Sequence, residues 1–229
     1  MRGIRFYAGG ICLSLALLSS APGAAQAAEQ TEAVLQQART SELARQLQVG
    51  DVVFTRIPAY SFRQVAATTS SWTNHVGIVI DTSGAEPMIG ESKFPLSQAT
   101  PLSRFVARSE DGRVAVGRLD VALTPQQQQA IKAAAERRFG VFYDTGFNLH
   151  SGRQFCSRYV REVLQETTGI ELGQVENFAQ LLASNPEANV GFWRVWYFGN
   201  IPWQRQTVTP ASLLRSPRLT PVFDGYGKV

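Results

Sequence analysis

The chain has 229 residues, 44% of them apolar and 17% charged, a balance that suits a packed core and excludes a disordered polymer. Its 22 Lys and Arg stand against 18 Asp and Glu, and setting aside Arg2 and Arg5 of an acid-free leader leaves 20 against 18, too even for a basic partner-seeking surface. With Cys12 in that leader, one cysteine and two histidines remain, too few for a zinc-like cluster, and no basic stretch alternates with aromatics, which argues against nucleic acid.

Residues 1–27 read as a signal peptide. Arg2 and Arg5 give the positive start, the apolar run from Ala8 to Leu18 is too short to span a bilayer, and Ala25-Gln26-Ala27 fits a small-x-small cleavage pattern. The expected mature chain, 28–229, is one domain by length, has no transmembrane helix, and is periplasmic or secreted. Its core is expected at about 50–200, after an N-terminal helical segment and before an irregular tail.

From Glu29 to Leu47 the composition favours one interrupted helix or two short ones. Gly50-Asp51 turns the chain into a buried strand, Val52-Val53-Phe54-Thr55. A polar loop follows from Ser61 to Asn74, with one helical turn near Phe62 to Ala67, and His75 to Ile80 is the strongest strand signal in the chain. Ser83-Gly84 marks a turn, and Met88 to Glu91 returns antiparallel. Val114 to Leu119 is a further strand.

Thr124-Pro125-Gln126-Gln127 has the features of a helix start: a capping hydroxyl, a proline at the first turn and a glutamine to return the capping bond. That helix is expected to run through Arg138 and stop at Gly140. A second begins near Cys156, carries Tyr159, Val160, Val163 and Leu164 on one stripe, and stops at Gly169. Val175 to Ala183 reads as a short helix and Trp193 to Phe198 as an aromatic strand. The proline-bearing stretch from Thr209 onward reads as mostly irregular.

Cys12 falls within the leader, so the mature chain keeps one thiol, Cys156, with no disulfide partner. Free cysteines are often simply buried apolar residues. At a helix start, however, a thiol gains positive surroundings and neighbouring amides able to hold an oxyanion, which makes Cys156 a candidate nucleophile. The base must be His75 or His150. Proximity in sequence favours His150, whereas a strand holds a ring more rigidly than the loop around Gly146 and Gly152, which favours His75. A hairpin folded about Ser83 sets position 91 opposite position 75, making Glu91 the residue to orient the imidazole.

The run Gly50-Asp51-Val52-Val53-Phe54, then Asn74-His75-Val76-Gly77-Ile78-Val79, the acid Glu91 on the next strand, and Phe155-Cys156-Ser157-Arg158-Tyr159-Val160 together resemble the circularly permuted papain-like hydrolases of the NlpC superfamily, in particular their YiiX/YebB-like branch. There the histidine strand precedes the cysteine helix. The resemblance covers Gly50 to Thr167 and implies an α+β fold, with the Cys156 helix packed on an antiparallel sheet that includes the strands beginning at Val52, His75 and Met88. It implies Cys156 as nucleophile, His75 as base and then acid, and Glu91 as orienting residue. It also points to Tyr143-Asp144 as residues lining the site or fixing the approach loop, with Asn74 beside them. Asn74 stands where a hydroxyl residue is expected, and Ser157-Arg158 where Ser-Glu is common.

The expected activity is that of an exported cysteine hydrolase, cleaving an amide of peptide, cell-wall peptide or N-acyl type through a thioester, with no metal or organic cofactor implied. The alternatives are a lipid-directed acyltransferase or thioesterase on the same triad, a non-catalytic binding protein that uses the cleft, and redox sensing by the lone thiol. Trp193, Trp196, Tyr197, Phe198 and Trp203 read either as core or as the wall of an acyl or sugar groove.

Overall fold

The computed structural model describes residues 35–228 except 187, so the expected signal peptide, Cys12 and the first part of the expected Glu29 helix lie outside the described residues. Strand β1 (Gln36–Arg39), helix α1 (Thr40–Ala44), strand β2 (Val52–Thr55) and helix α2 (Tyr60–Thr68) come first. Strands β3 (His75–Asp81), β4 (Met88–Ser92) and β5 (Ser97–Pro101), helix α3 (Leu102–Ala107) and strand β6 (Arg113–Leu119) follow. The longer helices α4 (Pro125–Glu136) and α5 (Cys156–Thr168) lead into β7 (Val175–Asn177), α6 (Phe178–Ser184), α7 (Val190–Trp196), β8 (Gln206–Val208), α8 (Pro210–Leu214) and β9 (Leu219–Lys228).

The fold is α+β. Seven strands lie in the order β1-β9-β6-β2-β3-β4-β5, antiparallel throughout except for the parallel β1–β9 pair, while β7 and β8 form a small separate ribbon. Both faces of the central strands are covered. Val52, Phe54, Val76 and Ile78 pack with the α5 residues Tyr159, Val160, Val163 and Leu164, and Val53, Val79 and Ile89 pack with Phe105 of α3. That two-sided burial explains why His75 to Ile80 is apolar without alternation.

The Gly50-Asp51 pair has a definite job. Gly50 sits at φ +96°, a conformation that glycine adopts freely, and Asp51, 1% exposed, accepts both Nε and Nη2 of Arg118 at 2.8 Å. Thr124 and Gln127 exchange capping bonds at the start of α4, and α5 ends on Gly169 at φ +74°.

Several expectations need correction. Residues 36–39 are strand β1 rather than helix, because pairing with β9 outweighs their helical composition. Val175 to Asn177 is likewise a strand, with helix only from Phe178. The expected aromatic strand at Trp193 to Phe198 is helix α7, started by the Asn189 side chain, which accepts a bond from the Phe192 amide. Phe192, Trp193, Trp196 and Tyr197 fall on one side of that helix and join its aromatic cluster. The tail from Thr209 is ordered as α8 and β9. The β3–β4 register is also offset from the expected one: Ile78 faces Gly90, so continuing the ladder sets Glu91 opposite Gly77, not His75.

Candidate active site

His75 opens β3 and Glu91 stands near the end of β4. Despite the register offset, their side chains point to the same face and meet diagonally over Gly77, which contributes no side chain to obstruct them. Nε2 of His75 lies 2.6 Å from Oε2 of Glu91, and both side chains are shut off from solvent at 2% and 0% exposure. Glu91 is held from two further directions. The Thr100 hydroxyl donates to Oε1 at 2.6 Å, and Arg108 Nη2 donates to both carboxylate oxygens at 2.7 and 2.8 Å.

A carboxylate with so many donors remains ionised. Burial works to raise the Glu91 pKa, but the bond from His75 and the charges of His75 and Arg108 outweigh it and hold the carboxyl at about 2. For His75, burial works to lower the pKa, and is outweighed by the nearby Cys156 side chain and by the bond to Glu91, which push the ring up to about 9. The thiol of α5 and the carboxylate of β4 therefore both act on the one imidazole. With Nε2–H given to Glu91, the neutral ring presents Nδ1 as its basic atom. Nδ1 is buried and has no hydrogen-bond partner within the described protein.

Cys156 is 3% exposed and is the free cysteine of the described residues. It is the first residue of the 13-residue helix α5, whose N-cap, Phe155, is extended and supplies no side-chain capping bond. The opening amides of the helix are thus not taken by a cap, and the positive end of the helix dipole lies at the sulfur.

Tyr143 is buried close to this centre, and burial, followed by interaction with Cys156, pushes its phenol well above the usual range. Asn74 is also buried, but its amide is spent on a backbone clamp: Oδ1 accepts from the Ile57 amide at 2.7 Å and Nδ2 donates to the Ile57 carbonyl at 3.1 Å. Asp144 organises the loop before α5, accepting from the amides of Gly146 and Asn148 at 2.8 and 3.1 Å and from the Ser151 hydroxyl at 2.5 Å. His150 is exposed and its ring bonds Gln206 at 2.7 Å, so Glu91 serves His75 alone. Arg158 ties that loop to α5 through the carbonyls of Ser151 and Arg153 and through Glu162.

Arg108 and Thr100, which fix Glu91, were not foreseen. Both depend on β5 and α3, which carry no sequence pattern strong enough to place them against β4.

The sequence matches the family model of permuted papain-like amidases, the YaeF/YiiX or C92 family, over residues 46–223. The chain belongs to this family. Among relatives of this C92 protein is the YiiX protein of Escherichia coli K12, described as uncharacterized, 28% identical over 177 residues that span 77% of this chain and 86% of the relative. The crystal structure of the metalloprotein yiiX from Escherichia coli O157:H7 superposes with a TM-score of 0.73 at 28% identity, covering 79% of this chain and 99% of that one. As for a metal here, no group of three or more His, Cys, Asp or Glu among the described residues could hold an ion. Glu91, the carboxylate bonded to His75, already has its oxygens engaged by Arg108 and Thr100. Among the described residues no helix is long and apolar enough to cross a membrane.

Proposed function

We propose that this C92 protein is a cysteine amidase in which Cys156 is the nucleophile, His75 the acid and base, and Glu91 the residue that orients the ring. The observation that carries this reading is the buried imidazole bonded to Glu91 through Nε2 at 2.6 Å while interacting with the Cys156 thiol. The thiolate adds to the amide carbonyl, forming a C–S bond, and the oxyanion is met by the opening amides of α5. Protonated His75 gives its proton to the leaving nitrogen as the C–N bond breaks, releasing an amine and leaving a thioester. The neutral ring then takes a proton from water as the new C–O bond forms, and the C–S bond breaks to release a carboxylic acid and restore the sulfur.

Cys156→Ala should lower turnover of any cleaved amide by about a thousandfold or more. The same hydrolysis rate in the variant and the parent would reject the mechanism. The competing view, a cleft that only binds, predicts an ordinary thiol. Iodoacetamide should alkylate Cys156 faster in the parent than in His75→Ala, and equal rates would favour that view. We further read residues 1–27 as a removable secretion signal; the N-terminal sequence of the protein recovered from the periplasm or medium of an expressing bacterium tests this, and a start at Met1 would contradict it.

A further inference from the structure

Glu91 carries two cationic groups on a single oxygen. Nε2 of His75 lies 2.6 Å from Oε2 and Nη2 of Arg108 lies 2.8 Å from the same atom, so the two nitrogens stand within about 5.4 Å of each other. Positive charges that close repel strongly when one of them is buried. Arg108 makes this contact with one nitrogen rather than a fork: Nη2 also reaches Oε1, at 2.7 Å, while Nε is buried without a partner among the described residues. The guanidinium stands 5.3 Å over the Phe105 ring, and Phe105 in turn lies 5.5 Å from the imidazole. Helix α3 therefore supports ring and carboxylate together, from the face of the sheet opposite α5.

Few other titratable groups bear on the pair. Cys156 of α5 and Glu91 of β4 act on His75 directly. Tyr143, before α5, and Tyr159, on it, lie in the field of Glu91, and burial pushes both phenols up, so both are neutral where His75 titrates. Helix α2 presents Phe62 to the ring at 6.2 Å, and β2 sets Thr55 opposite His75. Arg108 is thus the fixed charge that offsets Glu91, since a guanidinium keeps its proton throughout.

Resting on the amidase reading above, we propose that Arg108 is a positioning residue that acts on His75 through Glu91: it aims the carboxylate at Nε2 and cancels part of its charge, so that the imidazolium is oriented without being gripped. Facing the carboxylate alone, the ring would hold its proton too tightly to release it to a leaving nitrogen, because a general acid works best when its proton is not bound far beyond the working pH. The single-nitrogen contact adds a second consequence. An ammonium placed at the same point supplies the same charge, so lysine should substitute for Arg108 where a neutral donor cannot.

The test is a pH titration of the purified full chain labelled with ¹⁵N-histidine and followed by long-range ¹H–¹⁵N NMR. The chain has two histidines, and exposed His150, bonded to Gln206, serves as the internal reference. Arg108→Gln, which still donates to Glu91 but carries no charge, should raise the His75 midpoint by about one pH unit, whereas Arg108→Lys should keep the parent's midpoint and His150 should not move in either. A His75 midpoint that stays or falls in folded Arg108→Gln, or that shifts as far in Arg108→Lys, would overturn the role of Arg108 and leave the amidase reading standing. Should Arg108→Gln fail to fold, Glu91→Gln and the Glu91→Gln, Arg108→Gln double variant make the same comparison without a buried unpaired carboxylate: the midpoint should be higher in the double variant, and equal midpoints would overturn the proposal. A raised midpoint combined with equal iodoacetamide rates for the parent and His75→Ala would support the coupling of Arg108 to the ring and reject the amidase reading.

Discussion

At the scale of single residues, the centre is a chain of charge compensation running from Arg108 and Thr100 through Glu91 to His75 and Cys156. Truncating Arg108 leaves a buried carboxylate with fewer donors, so Arg108→Met should cost about 1–3 kcal/mol of stability, read from urea unfolding at neutral pH. An unchanged midpoint would show that Thr100 and His75 suffice. The pair also predicts a pH window. His75 is raised from 6.5 to about 9, so its contribution is full below 6.5 and disappears as pH rises through about 9. Glu91 is lowered from 4.5 to about 2, so its contribution is present above 4.5 and disappears as pH falls through about 2. The Tm difference between the parent and a His75→Gln, Glu91→Gln double variant should therefore be greatest between pH 4.5 and 6.5, and shrink on either side; a difference independent of pH would contradict the ionised pair. The meeting of His75 with Glu91, and the place of Cys156 at a helix start, were legible because each lies on an element with a local pattern. Arg108 was not, since its link to Glu91 exists only once α3 has packed against the sheet.

Among the elements, those that the sequence announced are the ones with explicit starts and stops. Thr124 and Gln127 for α4, and the apolar stripe and Gly169 for α5, act within a few residues and were legible for that reason. Gly169 offers a clean measurement, since a Cβ there would meet nothing within 4 Å: Gly169→Ala should cost about 1 kcal/mol through the left-handed backbone alone, visible as a lower Tm. Helix α7 was misread because aromatic composition suggests a strand, although the spacing of 192, 193, 196 and 197 is helical. Its cap is equally testable: Asn189→Ala should destabilise by about 1 kcal/mol in chemical denaturation. Strand β9 was missed because Pro221, Gly225 and Gly227 argue against a strand. It tolerates Pro221 where its register with β6 slips, between the Val116–Phe223 and Gly117–Pro221 pairs, a position that needs no ladder donor. Gly225 and Gly227 answer close approach: a Cβ on Gly225 would lie 1.9 Å from the Gln36 carbonyl oxygen.

For the whole molecule, the permuted order sets the histidine strand ahead of the cysteine helix, yet the two meet because β3 is central in the sheet and α5 packs across it. The overall class was readable from this order of motifs; the closing of the sheet was not, because it joins residues 36–39 to residues 225–228, a separation no local pattern reports. Removing residues 219–228 should abolish cooperative thermal unfolding, since β6 loses one neighbour and β1 its sole one; a sharp melt in the truncated chain would show that β9 is dispensable. Because β9 lies between β6 and β1, a growing nascent chain cannot finish its sheet until its closing residues have left the ribosome. Until then β1 and β6 each lack their β9 partner and present open backbone edges.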